Sequence, residues 1–127
     1  MVNSEMGCIF CKLNHSETIL ENRLFYSRWD KFPVSYGHAE VIPKRHIESF
    51  LDLSGKEVLL MYDLIKKTKE VIDDKFSPDA YNLGINEGEA AGRTIHHLHV
   101  HLIPRYYGDV KNPRGGVRHV IPGKGDY

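Results

Sequence analysis

The sequence predicts an α+β fold: a mostly antiparallel five-stranded sheet, one long helix across one face, a short helix and an extended C-terminal tail. Two patterns carry that expectation. Short β-leaning runs, several of them alternating apolar with polar residues, occur on both sides of the chain's middle, which is the period of a half-buried strand. Between them Val58, Met61, Tyr62, Ile65, Thr68 and Ile72 recur at helical spacing, with lysines and acids on the opposite side.

In chain order, residues 1–6 read as a loose end and Cys8-Ile9-Phe10-Cys11 as a tight, knuckle-like turn. Thr18–Glu21 and Leu24–Trp29 are β-leaning, and Asn22-Arg23 between them suits a hairpin. Asp30–Gly37 holds Pro33 and Gly37 and reads as a loop. His38–Pro43 alternates, with His38, Glu40 and Ile42 on one face and Ala39 and Val41 on the other. Pro43 has no amide proton to donate and stops the strand. Ser54 and Glu57 have the spacing of a capping box, in which each side chain satisfies the other's backbone amide. A helix is therefore expected from about Gly55 to about Lys75, ending before Pro78. Tyr81–Asn86 reads as a strand, Glu87–Arg93 as a Gly/Ala-rich turn and Thr94–Pro104 as the last strand. From Arg105 onward, Gly108, Gly115, Gly116, Gly123 and Gly125 with Pro113 and Pro122 predict little regular structure. Packing, a partner or a ligand must hold that tail.

The bulk properties narrow the class. A chain of 127 residues, 41% hydrophobic and 27% charged, suits one soluble domain with a real core. Zero net charge argues against a general binder of nucleic-acid polymers or membrane surfaces. Residues 105–127 carry five Lys/Arg against two Asp/Glu, so the tail is basic and the rest acidic. No apolar run approaches the ~20 residues that span a bilayer. The N-terminus lacks the basic and apolar regions of a signal peptide, so a cytoplasmic location is expected.

The chemistry is concentrated in His96-His97-Leu98-His99-Val100-His101. In a strand, His97, His99 and His101 share one face while Leu98, Val100 and Leu102 enter the core, and His96 points away and is dispensable. Imidazoles offer no packing advantage there over Thr or Val. Two histidines at i and i+2 can chelate zinc and leave a position open for water. All three cannot comfortably share one ion, because i and i+4 are about 13 Å apart along a strand. A second arrangement takes Cys8 and Cys11 as a thiolate pair, completed by one histidine of the triplet and by His46, and leaves the other triplet histidines for catalysis. In a third, the two cysteines are ordinary thiols, and lone histidines such as His15 and His119 lie on the surface.

The run His97-Leu98-His99-Val100-His101-Leu102-Ile103 resembles the signature of the histidine-triad (HIT) family. Asn86-Glu87-Gly88, Gly92 and Thr94-Ile95 resemble the family's glycine-rich approach to that strand. Gly37-His38, Ile42-Pro43-Lys44 and His46 resemble its earlier strand, and Cys8, Cys11 and Asp30 fall at family-like separations. Pro104-Arg105 followed by Gly108-Asp109 is similar to the branch that cleaves dinucleoside polyphosphates. The resemblance covers roughly residues 7–108, which implies a HIT domain there and a basic tail over 109–127.

The resemblance implies a nucleotidyl hydrolase or transferase acting at the α-phosphate of a dinucleoside polyphosphate or nucleoside phosphoramidate. His99 matches the nucleophile that forms a covalent nucleotidyl intermediate. His101 matches the residue that hydrogen-bonds a phosphate oxygen, Thr94 a leaving-group contact, and His38 a support of the same site. Asp30 resembles the ribose-binding acid, Asn86 a substrate contact, and Ile9, Phe10 and Leu13 the apolar wall for the base. The zinc-bearing branch matches its ligands to Cys8, Cys11, His46 and His97. The family also implies a homodimer. Two departures stand out. Arg93 replaces a common Gln, and is expected to point inward and grip phosphate oxygens; Arg28 occupies a usually apolar position near the base. Lys111, Arg114, Arg118 and Lys124 could fold over a polyphosphate or pack on a neighbouring subunit. The alternatives are a zinc-stabilised nucleotide-binding module with little turnover, a dinucleoside polyphosphate phosphorylase, and a metallohydrolase that uses the triplet as ligands.

Overall fold

Five strands pair antiparallel throughout, in the order β1-β2-β3-β5-β4, in a computed structural model that describes residues 7–127. They are β1 (Thr18–Glu21), β2 (Phe25–Trp29), β3 (Ala39–Pro43), β4 (Ala80–Gly84) and β5 (Val100–Arg105). One helix, α1 (Gly55–Phe76), links β3 to β4. The expected loose end at residues 1–6 lies outside the described residues.

The helix starts where its cap dictates. Ser54 Oγ accepts from the Glu57 amide at 3.2 Å, and Glu57 Oε1 accepts from the Ser54 amide at 2.9 Å. Two amides that the first turn leaves without intrahelical partners are thereby satisfied. At the other end Ser77 turns left-handed at φ 51°, just before Pro78. The buried stripe is Met61, Leu64, Thr68 and Ile72. It is rotated slightly from the one expected, because steps of three and four residues keep those positions in line. Leu64 is 2% exposed, whereas Tyr62 is 55% exposed.

This stripe packs on Phe25, Ala39, Val41, Val100 and Leu102, the inward residues of β2, β3 and β5. Complete burial stabilises by about 1.5–3 kcal/mol for each large side chain. One polar pair lies inside: Thr68 Oγ1 donates to Ser27 Oγ at 2.9 Å, and Ser27 Oγ accepts from the Leu20 amide at 3.3 Å. The ladder between β1 and β2 slips between Thr18 and Leu20, so a side chain takes over part of the strand's bonding. Gly37, at φ +86°, lies where a Cβ would come 2.8 Å from Phe76 Cδ2. Only glycine lets the loop before His38 pass the end of the helix.

The last strand is shorter than the alternation suggests. It begins at Val100 rather than Thr94, and β4 ends at Gly84 rather than Asn86. A strand needs neighbours. β3 pairs with β5 only from Val100 onward, and the β4 pairing starts at His101. Upstream, the chain is fastened by the Leu98 amide, which donates to the Ile47 carbonyl at 2.7 Å. His97, Leu98 and His99 are buried all the same.

The tail forms one short 3-10 turn, Gly116–Val120, beside Asn82 of β4. It is held by its own contacts. The guanidinium carbons of Arg114 and Arg118 lie 4.4 and 4.8 Å from the Tyr127 ring centre. His119 Nε2 donates to the Arg114 carbonyl at 2.7 Å, and Arg118 Nε to the Gly125 carbonyl at 3.2 Å.

Candidate active site

The sheet face away from α1 is organised in cross-strand rows. Arg28 pairs with Glu40, and Glu40 with His101, so these three side chains form one row. Tyr26 and Ile42 form the next row and pack against Phe10 of the N-terminal turn. The Tyr26 hydroxyl donates to the Phe10 carbonyl at 2.6 Å and ties that turn to the sheet. Burial raises the Tyr26 hydroxyl well above its ordinary value, so the donor keeps its proton.

At one end of this face Cys8, Cys11, His46 and His97 converge, their ligand atoms all within 4.8 Å of one another. Cys8 Sγ and Cys11 Sγ each lie 3.3 Å from His97 Nδ1, and Cys11 Sγ lies 3.2 Å from His46 Nδ1. Zinc bonds of about 2.3 Å to sulfur and 2.0 Å to nitrogen place tetrahedral ligands roughly 3.3–3.8 Å apart. The three close separations fit such an ion. His97 Nε2 donates to the Pro43 carbonyl at 2.8 Å, which leaves the Nδ1 lone pair facing the sulfurs. Burial lowers the His97 pKa to about 4, so the ring is neutral and ready to ligate at pH 7. Among the described residues, the buried side-chain polar atom without a hydrogen-bond partner is His46 Nε2. Nδ1 of that ring faces Cys11 at 3.2 Å, so it is the atom through which His46 would ligate, and the proton would then sit on Nε2.

Next along the chain, His99 Nδ1 donates to the His97 carbonyl at 2.8 Å. Its Nε2 therefore carries a lone pair. Burial holds the His99 pKa below the ordinary histidine value, and the carbonyl bond only partly opposes that. The Phe10 ring meets His99 edge-on, with centroids 5.0 Å apart.

His101 is fixed by a relay. The Val34 amide donates to His38 Nδ1 at 3.2 Å, so His38 Nε2 bears the proton and donates to His101 Nδ1 at 2.9 Å. The proton of His101 then sits on its own Nε2, as a donor. Asp30 Oδ2 lies 3.4 Å from His38 Nε2 and 3.8 Å from His101 Nδ1. Burial, followed by the neighbouring His99 and His38, lowers His101 to about 4. Burial also lowers His38, against the pull of Asp30.

His99 and His101 open onto a cavity of about 200 Å³. Ile9, Phe10, Asp30, Asn86 and Thr94 line it. Leu13 does not; it packs behind Phe10, Tyr26 and Ile42. Arg93 is not in the cavity either. Its guanidinium donates to the Glu48 carbonyl at 3.0 Å and to the Glu48 carboxylate at 3.2 Å, and Nε donates to His96 Nδ1 at 3.2 Å. The expected inward grip is replaced by a clasp on the loop that follows His46, because Glu48 supplies two acceptors within reach of one guanidinium.

Lys31, Phe32, Gly92 and Ile95 also line the cavity, and two more lining residues, Arg28 and Glu40, are ionisable groups beneath it. Arg28, expected near the base, does line it, with its guanidinium carbon 5.4 Å from the centre of the Phe10 ring. Glu40, on the histidine face by the alternation of His38–Pro43, also lines it. Burial pushes it up to about 8; Asp30 adds to the rise and Arg28 opposes it. Its parity with His38 was the available signal. A larger groove of about 690 Å³ lies on the far side of Asp30 and His38, walled by Trp29, Tyr36, Phe76 and Tyr106.

A five-stranded antiparallel sheet carrying a buried histidine cluster beside a Cys/His metal-type knuckle defines a histidine-triad class of protein. Residues 12–108 match the HIT domain model. The chain belongs to the HIT family. It is 38% identical over 106 residues to an uncharacterized HIT-like protein of Methanocaldococcus jannaschii, covering 80% of this chain and 81% of that one. It is 40% identical over 77 residues to an asymmetrical bis(5'-nucleosyl)-tetraphosphatase of Schizosaccharomyces pombe, covering 61% of this chain and 42% of that relative. Among solved structures, a zinc-bound histidine-triad protein of Mycobacterium smegmatis is similar with TM-score 0.73 and 31% identity, covering 83% of this chain and 79% of that one. Among the described residues, no helix is long and apolar enough to cross a membrane.

Proposed function

We propose that the protein is a nucleotidyl hydrolase or transferase that cleaves at the α-phosphate of a dinucleoside polyphosphate or nucleoside phosphoramidate. The observation that carries the reading is the 2.8 Å bond from His99 Nδ1 to the His97 carbonyl, which leaves a neutral, buried Nε2 as a nucleophile beside a cavity. His99 Nε2 attacks the α-phosphorus, an N–P bond forms, and the bond to the leaving oxygen or nitrogen breaks. Water then attacks the same phosphorus, the N–P bond breaks, and a nucleoside monophosphate leaves with His99 restored. His101, with its proton on Nε2, donates to a phosphate oxygen as charge builds. His38 holds that tautomer, Asp30 and Asn86 meet the sugar, Ile9 and Phe10 face the base, and Thr94 lies on the leaving-group side. The tetraphosphatase activity of the fission-yeast relative supports the substrate class.

Zinc held by Cys8, Cys11, His46 and His97 would supply structure rather than chemistry, since four protein ligands leave no position open. We place residues 7–108 in the catalytic domain and treat the tail as an appendage, in a cytoplasmic homodimer. The exposed Leu59 and Tyr62 of α1 and the exposed Leu83 of the edge strand β4 support a surface for a second copy. The test is incubation with diadenosine and diguanosine polyphosphates and with nucleoside phosphoramidates, read as mononucleotide release and as a covalent adduct on His99 by mass spectrometry. Absence of release across that panel would overturn the reading.

A further inference from the structure

The row beneath the cavity sets a charge pattern that a nucleotide must answer. Arg28 and Glu40 are Cα partners on β2 and β3, and Glu40 is in turn the partner of His101. Both are buried, at 8% and 5% exposure, and both line the cavity that holds His99. A buried cation is ordinarily paired and fully hydrogen-bonded. Arg28 is not. Its nearest acceptors are the Trp29 carbonyl at 3.5 Å, Glu40 Oε1 at 3.7 Å and Glu17 Oε2 at 3.9 Å. Charge-assisted bonds of this kind run at about 2.7–2.9 Å. The guanidinium thus holds a fork of donors short of any strong bond, at the mouth of the apolar wall made by Phe10.

We propose that Arg28 and Glu40 read the base, giving the pocket a preference for guanine over adenine nucleotides; the proposal rests on the nucleotide reading above. Guanine presents O6 and N7 as adjacent acceptors, with N1–H and the exocyclic amine as donors beside O6. The Arg28 fork matches O6 and N7, and a Glu40 oxygen next to it accepts from N1–H. Adenine puts its amine where guanine has O6, which sets N–H against N–H at Arg28, and that clash carries the discrimination. A site that holds buried polar groups discriminates strongly, because the wrong ligand strands them.

The experiment is calorimetric titration of the full chain with GMP, AMP, IMP and 7-deazaguanosine monophosphate. GMP is expected to bind at least about tenfold tighter than AMP, IMP to keep most of that advantage, and the 7-deaza analogue to lose part of it. In the double variant Arg28→Leu/Glu40→Leu the ratio should fall to within about twofold, and replacing both partners leaves no lone buried charge. Equal affinity for GMP and AMP in the parent chain sinks the base preference alone, and so does a double variant that melts like the parent and keeps the ratio. If none of the four binds, the nucleotide reading fails and takes this inference with it. Should the double variant not fold, the four-nucleotide comparison on the parent decides.

Discussion

His99 Nδ1 lies 2.8 Å from the carbonyl oxygen of His97, so one residue's backbone sets the tautomer of the next imidazole along the strand. The same His97 turns its side chain to Cys8 and Cys11. A metal-type cluster and the imidazole proposed as nucleophile are therefore joined through a single residue.

Replacing the nucleophile should separate chemistry from binding. His99→Ala is expected to lower kcat by at least about 10³-fold, the scale seen when a covalent catalyst loses its attacking atom. GMP affinity measured by calorimetry should stay within a few-fold of the parent. Turnover near the parental rate would rule out the covalent route.

Removing the metal ligands should act on stability first. Cys8→Ser and His46→Ala are expected to abolish bound zinc, measured by elemental analysis, and to lower Tm on the order of 10 °C, since a tightly held ligand adds several kcal/mol. A strong chelator should reproduce that shift in the parent and produce none in the variants. An unchanged Tm on chelation would show that the cluster holds no structural ion.

Acid should destabilise the chain through the buried imidazoles. His101 is lowered to about 4 and His38 is lowered as well, both first by burial. Below the ordinary histidine pKa of about 6.5 the unfolded chain takes up protons that the folded one refuses, so stability falls as pH drops from about 6.5 towards 4 and is intact above that window. Urea midpoints at pH 7.5 and 5 check the direction. His101→Asn should flatten the dependence; an equally steep one in that variant would place its origin elsewhere.

The wall of the cavity should loosen without its anchor. Tyr26→Phe deletes the 2.6 Å bond to the Phe10 carbonyl. A cost of about 1–2 kcal/mol in stability is expected, with KM raised more than kcat is lowered. A rate loss at unchanged KM would mean that Phe10 does not serve binding.

Much of this was legible in the sequence, and the gaps have physical reasons. Capping at Ser54 and the faces of Ala39–Pro43 follow from local rules, because they depend on residues a few positions apart. The alternation of His97–His99 is that of a strand, but a strand needs ladder partners, and the pairing with β3 stops at Val41–Val100 and that with β4 at Gly84–His101. The outward turn of Arg93 is hidden in the sequence because its partner, Glu48, is 45 positions away and no local pattern announces it. Glu40 went unweighed for the same reason. Its meaning appears only when Arg28 and His101 stand on either side of it.

The link between Cys8 and His97 spans 89 positions, nearly the length of the folded domain. A chain emerging from the ribosome exposes its first knuckle long before the strand that completes it. The Cys8–His97 contact can therefore close only after residue 97 has been made, and the N-terminal turn waits on nearly the whole domain for its partner.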